Sequence, residues 1–251
     1  MGALRRASLA VVVLLASCAL RAPRPVRPAG AEELLGVLAA RRSAVTSLRA
    51  RARLRAGLRG LWTREALVVR RPDGVRVDVL APFGLALALG TQGNLLWAYP
   101  PAEATRYEGP ATPANLSRFL GAPVSLPDVV DVLLGVPPAR APVGPAEAGV
   151  NRAGEHQLVL PLADGRQTIW FAGDTLTVLR AEEVRADGAV LRVLFDDYRD
   201  GFPHSVAVTA EPGGVGAHLD YESVEPNIPV DGSVFAPPPA ARVLPLDAAP
   251  G

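Results

Sequence analysis

Three histidines, one cysteine and a few paired carboxylates are the side chains of this sequence whose types could do chemistry. His156, His204 and His218 are the full set of histidines, and none has a partner at metal-ligand spacing. Their surroundings read as strand or turn surface. Asp196 and Asp197 are adjacent, just before Tyr-Arg-Asp-Gly. Neighbours on a strand point to opposite faces, so this pair cannot work together as acid and base, and turn chemistry accounts for it. Glu182 and Glu183 read as a solvated strand edge, and Pro212 to Gly216 as a hairpin turn. Gly-x-Ser-x-Gly, His-Glu-x-x-His and a phosphate-cradling loop are all missing from the sequence. A hydrolase would need a nucleophile–base pair that is not visible here. The expected class is non-enzymatic, with no metal and no dissociable cofactor.

Cys18 is a different matter. A lone cysteine cannot close a disulfide within the chain. Arg5 and Arg6 precede a mostly apolar run over residues 8–16. That run is shorter than the roughly 20 residues a bilayer span needs, and it fits a secretory signal. Leu15-Ala16-Ser17-Cys18 resembles the bacterial lipobox, in which the cysteine becomes the acylated first residue of a mature lipoprotein. The resemblance implies a signal peptide over 1–17 and a covalent lipid on Cys18. Two or more acyl chains anchor a protein stably. Ala19 stands where an inner-membrane retention signal has Asp, which implies the outer membrane, facing the periplasm.

Residues 18–30 are rich in Pro and Arg and read as an extended tether. Charge is close to balance overall, at +1, but unevenly spread. Residues 21–80 hold 14 arginines against 5 acids, and residues 81–251 hold 10 against 20. A basic front half near a lipid anchor suits anionic head groups or an acidic partner. Nucleic acid does not suit an exported protein.

These side chains need a scaffold, and one segment shows its kind. In Ser-Leu-Arg-Ala-Arg-Ala-Arg-Leu-Arg-Ala-Gly-Leu-Arg, Leu48, Ala50, Ala52, Leu54, Ala56 and Leu58 share one parity. Arg49, Arg51, Arg53, Arg55 and Arg59 share the other. A period of two sorts them into an apolar and a cationic strand face, where a helix would scatter the arginines. The apolar face carries little bulk, which leaves room for something to lie against it. Strands with turn signals follow to residue 108 and again from 157 to 224. Between them, Thr112-Pro113 and Ser125-Leu126-Pro127-Asp128 start two short helices, and residues 31–42 form an earlier amphipathic one. Residues 136–150 read as a loop and 239–251 as a flexible tail. The fold expected is mainly β with a few helices: one curved, unclosed antiparallel sheet of about ten or eleven strands, a half-barrel with a helical lid.

Three stretches carry a further resemblance: residues 72–89, a strand, a Pro-Phe-Gly loop and a strand; residues 116–137, a helix bracketed by Gly-x-Pro and Leu-Gly-Val-Pro; and residues 220–238, a last strand followed by a proline turn and Phe. Together they resemble the LolA/LolB superfamily, and the lipobox points to its LolB-like branch. A related group of bacterial lipoproteins shares that fold. The resemblance implies a lipid-binding domain over 31–238 that holds acyl chains in an apolar cavity. It implies a monomer that receives lipoproteins from a periplasmic LolA-like carrier and inserts them into the membrane. Its alternative is an envelope lipoprotein that binds another lipid or glycolipid, or serves assembly. Leu48, Leu54, Leu58, Trp62, Leu96, Trp97, Phe119, Val130, Leu133 and Leu134 are the wall and lid residues expected. Phe83, with Leu85 close behind, matches the loop that helps insertion, although the family has Leu at that position.

Overall fold

The computed structural model describes residues 27–57, 60–138, 140–212 and 214–248. The expected signal peptide over 1–17, Cys18, most of the tether and Leu58 lie outside the described residues. Helix α1 (Ala31–Ala44) opens with Glu32 and Glu33 and closes with Arg41 and Arg42, charges that oppose the helix dipole at each end. Leu34 and Leu38, one turn apart, are its buried contacts.

The strands are β1 (Ser47–Ala56), β2 (Trp62–Arg70), β3 (Gly74–Ala81), β4 (Gly84–Gln92), β5 (Leu95–Tyr99) and β6 (Thr105–Pro110), followed by β7 (Glu147–Val150), β8 (His156–Leu162), β9 (Gly165–Phe171), β10 (Val178–Arg185), β11 (Val190–Arg199), β12 (Phe202–Glu211), β13 (Val215–Pro226) and β14 (Arg242–Pro245). All belong to one sheet, ordered β14-β6-β5-β4-β3-β2-β1-β13-β12-β11-β10-β9-β8-β7. The opening alternation therefore lies mid-sheet, with β1 paired antiparallel to β2 and to β13. The sheet does not close, since β14 and β7 are its two edges.

The count is fourteen rather than ten or eleven. Two short, exposed edge strands lie where the sequence reads as loop and tail: β7, and β14, which pairs parallel to β6. Within the expected tail, residues 242–245 thus pair with β6, and Leu246 directly after β14 is buried. Edge pairing satisfies backbone groups without needing an apolar face, so it leaves little pattern to read.

Between the two halves of the meander stand α2 (Pro113–Leu120) and α3 (Leu126–Leu133). Thr112 caps α2 by accepting from the Asn115 amide, and Gly121 ends it at φ 72°. Ser125 caps α3 by accepting from the Asp128 amide. Each cap occupies a backbone donor that the helix cannot use itself.

The outer face is partly strapped rather than bare. The chain after β13 crosses β2 to β6 and is held through its backbone carbonyls. Arg70 donates to Val230 O, Arg76 to Val234 O, Trp97 Nε1 to Phe235 O and Arg106 to Pro238 O. Gly90 makes room for the indole of Trp97, because a Cβ there would lie 2.4 Å from Cζ2. Gly90→Ala is expected to cost about 1–3 kcal/mol through overpacking, readable as a lowered urea midpoint.

Candidate functional site

An apolar cavity of about 160 Å³ lies on the inner face. Its walls come from Leu54, Leu67, Val77, Leu89 and Leu96 on one side and Leu191, Val193, Val206 and Val208 on the other, with Ala217 and Leu219 between. On a flat sheet β5 and β11 would lie roughly 34 Å apart, seven strand spacings. Both touch one small space, so the sheet is curled. Phe119 and Leu120 from α2 and Val129, Val132 and Leu133 from α3 line it from the lid side. A hollow lined almost wholly by apolar groups gives an apolar guest a surface to bury against.

The expected wall residues fall into three groups. Leu54, Leu96, Phe119 and Leu133 line the cavity. Leu48, Val130 and Leu134 are buried in the core beside it instead. Trp62 and Trp97 do not line it. Trp62 stacks under the guanidinium groups of Arg53 and Arg55 on the outer face, and Trp97 lies beneath the strap. Each is one residue out of phase with its strand's inner side chains.

The two lid helices are held differently. Asp131 of α3 is buried and accepts from Arg71, in the β2–β3 turn, and from Arg42 of α1. Asp128 of α3 takes both terminal nitrogens of Arg140, at 2.7 and 2.9 Å. Glu183 of β10 receives Arg140 Nε at 2.8 Å. These bonds, those to Asp128 first, hold the Arg140 guanidinium charged more firmly than usual. The Tyr221 hydroxyl donates to Leu133 O, and burial pushes its pKa up. By contrast, Leu116 is the one fully buried residue of α2.

Glu65 on β2 shares the inner parity with Leu67 and Val69, and it is only 1% exposed. Its Oε1 lies 2.6 Å from the Thr63 hydroxyl, and its Oε2 has no partner. Burial pushes its pKa up to about 6; the Thr63 bond opposes this and the charge of Asp78 adds to it. From 4.5 to about 6 the folded chain holds a proton that the unfolded chain releases. Folding stability contributed by this group is therefore highest at low pH and falls as pH rises through that window, by about 2 kcal/mol.

Five large apolar side chains are exposed at one end of the sheet: Leu61, Trp62, Leu80, Phe83 and Leu85. The β1–β2 and β3–β4 hairpin ends meet there, since Arg64 faces Leu80 and Leu80 faces Leu85. Phe83 is fully exposed. Arg53 and Arg55 flank Trp62, so a basic rim borders the greasy tip.

One side-chain cluster was not foreseen. Ser205 Oγ lies 2.9 Å from His218 Nε2 and 3.0 Å from Asp220 Oδ1. Asp220 also meets Nε2, at 3.0 Å, the same ring nitrogen that Ser205 uses. In a nucleophilic relay the acid braces the other nitrogen, so this is not that geometry. The cluster also lies on the outer parity, while Val206, Val208, Ala217 and Leu219 of the same strands face the cavity. His156 is buried in β8, and the His204 ring packs edge-on to Phe202. Among the described residues no cluster of metal-ligating side chains is present. None of their helices is long and apolar enough to cross a membrane.

No protein-family model matches the chain, and no curated protein does. Solved structures do. A domain named for outer membrane lipoprotein sorting, from Vibrio parahaemolyticus, superposes with a TM-score of 0.54 at 15% identity, covering 82% of this chain and 95% of its own. A LolA superfamily protein from Nitrosomonas europaea gives 0.51 at 14% identity, covering 83% and 98%. A DUF1329 family protein from Desulfovibrio piger gives 0.51 at 15%, covering 82% and 95%. At such identities the likeness concerns the fold, and that fold is the LolA-type unclosed sheet with a helical lid.

Proposed function

We propose that this chain is a lipid-anchored, non-catalytic envelope protein. It takes acyl chains of lipoproteins into its cavity from a LolA-like carrier and passes them to the outer membrane. The observation that carries this reading is the apolar cavity beneath α2 and α3. Burying acyl carbon is worth about 0.8 kcal/mol per methylene, so one chain supplies substantial affinity without a charged contact. A long chain needs more room than about 160 Å³, so in this reading a helix moves to admit it. Two buried carboxylates pin α3. In this reading α2, between Pro110 and Gly121, is the cap that opens. In this reading residues 31–238 form the binding unit, and Cys18 carries the anchor.

The exposed tip is the surface that meets the membrane. Its Phe83 enters the acyl boundary while the neighbouring arginines meet anionic head groups. In the unacylated Cys18→Ala chain, Phe83→Glu is expected to weaken binding to phosphatidylglycerol-containing vesicles about tenfold, measured by co-flotation. Binding of an acyl probe to the cavity stays unchanged. Equal flotation by both proteins would remove Phe83 from this role. The client is tested by mass spectrometry of lipids that co-purify with the protein from its own envelope. Recovery of triacylated lipoprotein supports the receptor reading. Recovery of a glycolipid replaces it with a carrier of the same fold and a different cargo.

A further inference from the structure

Glu65 has no part in the hand-off described so far, yet its position is unusual. It is an isolated acid on the inner face, set among apolar groups. Directly across from it lie Ala52 on β1 and Val79 on β3. Its same-face neighbours along and beside the strand are Leu54, Leu67 and Val77, and all three line the cavity. Arg53, Arg64 and Asp78 occupy the opposite parity of β1, β2 and β3, so no cation shares the inner face with it there.

Its hydrogen bonding is incomplete. The Thr63 hydroxyl approaches both Glu65 Oε1 and the Leu54 carbonyl oxygen, at 2.6 and 3.1 Å, but has one proton to give. Oε2 has nothing. A buried acceptor left unmet costs about 1–3 kcal/mol, and more when charged. An apolar residue of similar size would avoid that cost. Glu65 is not itself among the lining residues, so a ligand's polar end would reach it just past Leu54, Leu67 and Val77.

We propose that Glu65 is a head-group site at the end of the cavity: it accepts a hydrogen bond from a neutral donor, a hydroxyl or amide N–H adjoining the bound acyl chain, and disfavours free fatty-acid anions. The proposal rests on the reading of the cavity as an acyl-chain site. The raised pKa of the carboxyl agrees with an ion that lacks partners until a ligand arrives. Above that pKa the carboxylate repels a fatty-acid head group brought against it and attracts a donor. Glycerol hydroxyls and the amide of an N-acylated chain both have the chemistry required.

The test compares 1-dodecanol with dodecanoate at pH 8, below micellar concentrations. Each displaces a fluorescent acyl probe from the wild-type chain and from Glu65→Gln. Glutamine keeps the shape and removes the charge. The expected result is that the dodecanol-to-dodecanoate affinity ratio falls about tenfold in the variant. Unchanged ratios, with both amphiphiles bound, overturn the Glu65 assignment and leave the acyl cavity standing. If neither amphiphile binds the wild-type chain, the cavity reading fails and the head-group site fails with it. Should Glu65→Gln fail to fold, the wild-type chain still decides. With dodecyl sulfate, which stays ionised, in place of dodecanoate, its preference for dodecanol must then be about tenfold weaker at pH 4.5, where Glu65 is protonated, than at pH 8, and a constant preference overturns the assignment.

Discussion

Asp131→Ala is expected to lower the unfolding free energy by about 3–5 kcal/mol, the usual cost of removing one partner from a buried ion pair. The Asp131 side chain is 4% exposed, and it ties three elements together. Arg71 reaches it from the β2–β3 turn and is itself mostly buried, at 15% side-chain exposure. Arg71 already has one nitrogen, Nη2, without a partner, so losing Asp131 strands both terminal nitrogens and leaves only Nε bonded, to Val45 O. Arg42 is half exposed and can turn to water, so Arg42→Ala should cost under about 1 kcal/mol. Urea denaturation reads both. Converting Arg71 to Met in the Asp131→Ala background should recover part of the loss, because the orphaned charge goes with it. A loss below about 1 kcal/mol for Asp131→Ala would mean that α3 is not pinned by this acid. The choice of α2 as the moving cap would then lose its basis.

The sequence exposes these features unevenly, for physical reasons. The face of β1 is legible because small apolar groups and arginines alternate without a break, and only a strand makes sense of that. Both lid helices are legible because Thr112, Ser125 and the prolines after them have local jobs that do not depend on the rest of the fold. Trp97 is not legible. Leu95-Leu96-Trp97-Ala98 is apolar throughout, and both faces are covered there, one by the lid and the other by the strap. Without alternation, nothing indicates which face the indole takes. Trp62 could have been placed, since it pairs with Arg55 in a hairpin whose arginines face outward. The strap itself depends on arginines meeting backbone carbonyls about 130 to 160 positions away, and carbonyls carry no sequence signal. Ser205, His218 and Asp220 meet only once β12 and β13 are in register. Glu65 did leave a trace: in Glu65-Ala66-Leu67-Val68-Val69 it shares parity with Leu67 and Val69. An acid on an apolar parity is a signal that strand reading alone can find.

Val208→Trp is expected to abolish acyl uptake while leaving the fold and the membrane tip in place. Val208 lines the cavity from β12, on the wall facing Leu67 and Leu89. An indole there occupies volume that ligand methylenes would otherwise fill. Excluding four methylenes removes about 3 kcal/mol of burial, close to a hundredfold in affinity. The existing cavity absorbs much of the added bulk, so the stability change should stay within about 1–3 kcal/mol. Titration with a fluorescent acyl probe measures uptake, and vesicle flotation measures the tip. The two readouts must separate. Val208→Trp loses the first and keeps the second, whereas Phe83→Glu does the reverse. Separation would mean that the hollow and the tip are independent devices joined by one sheet, as a hand-off requires. If Val208→Trp binds the acyl probe as well as the wild-type chain, the chain lies somewhere other than in this cavity. The curled sheet would then be a scaffold for its outer face, where Trp62 and the β1 arginines stand.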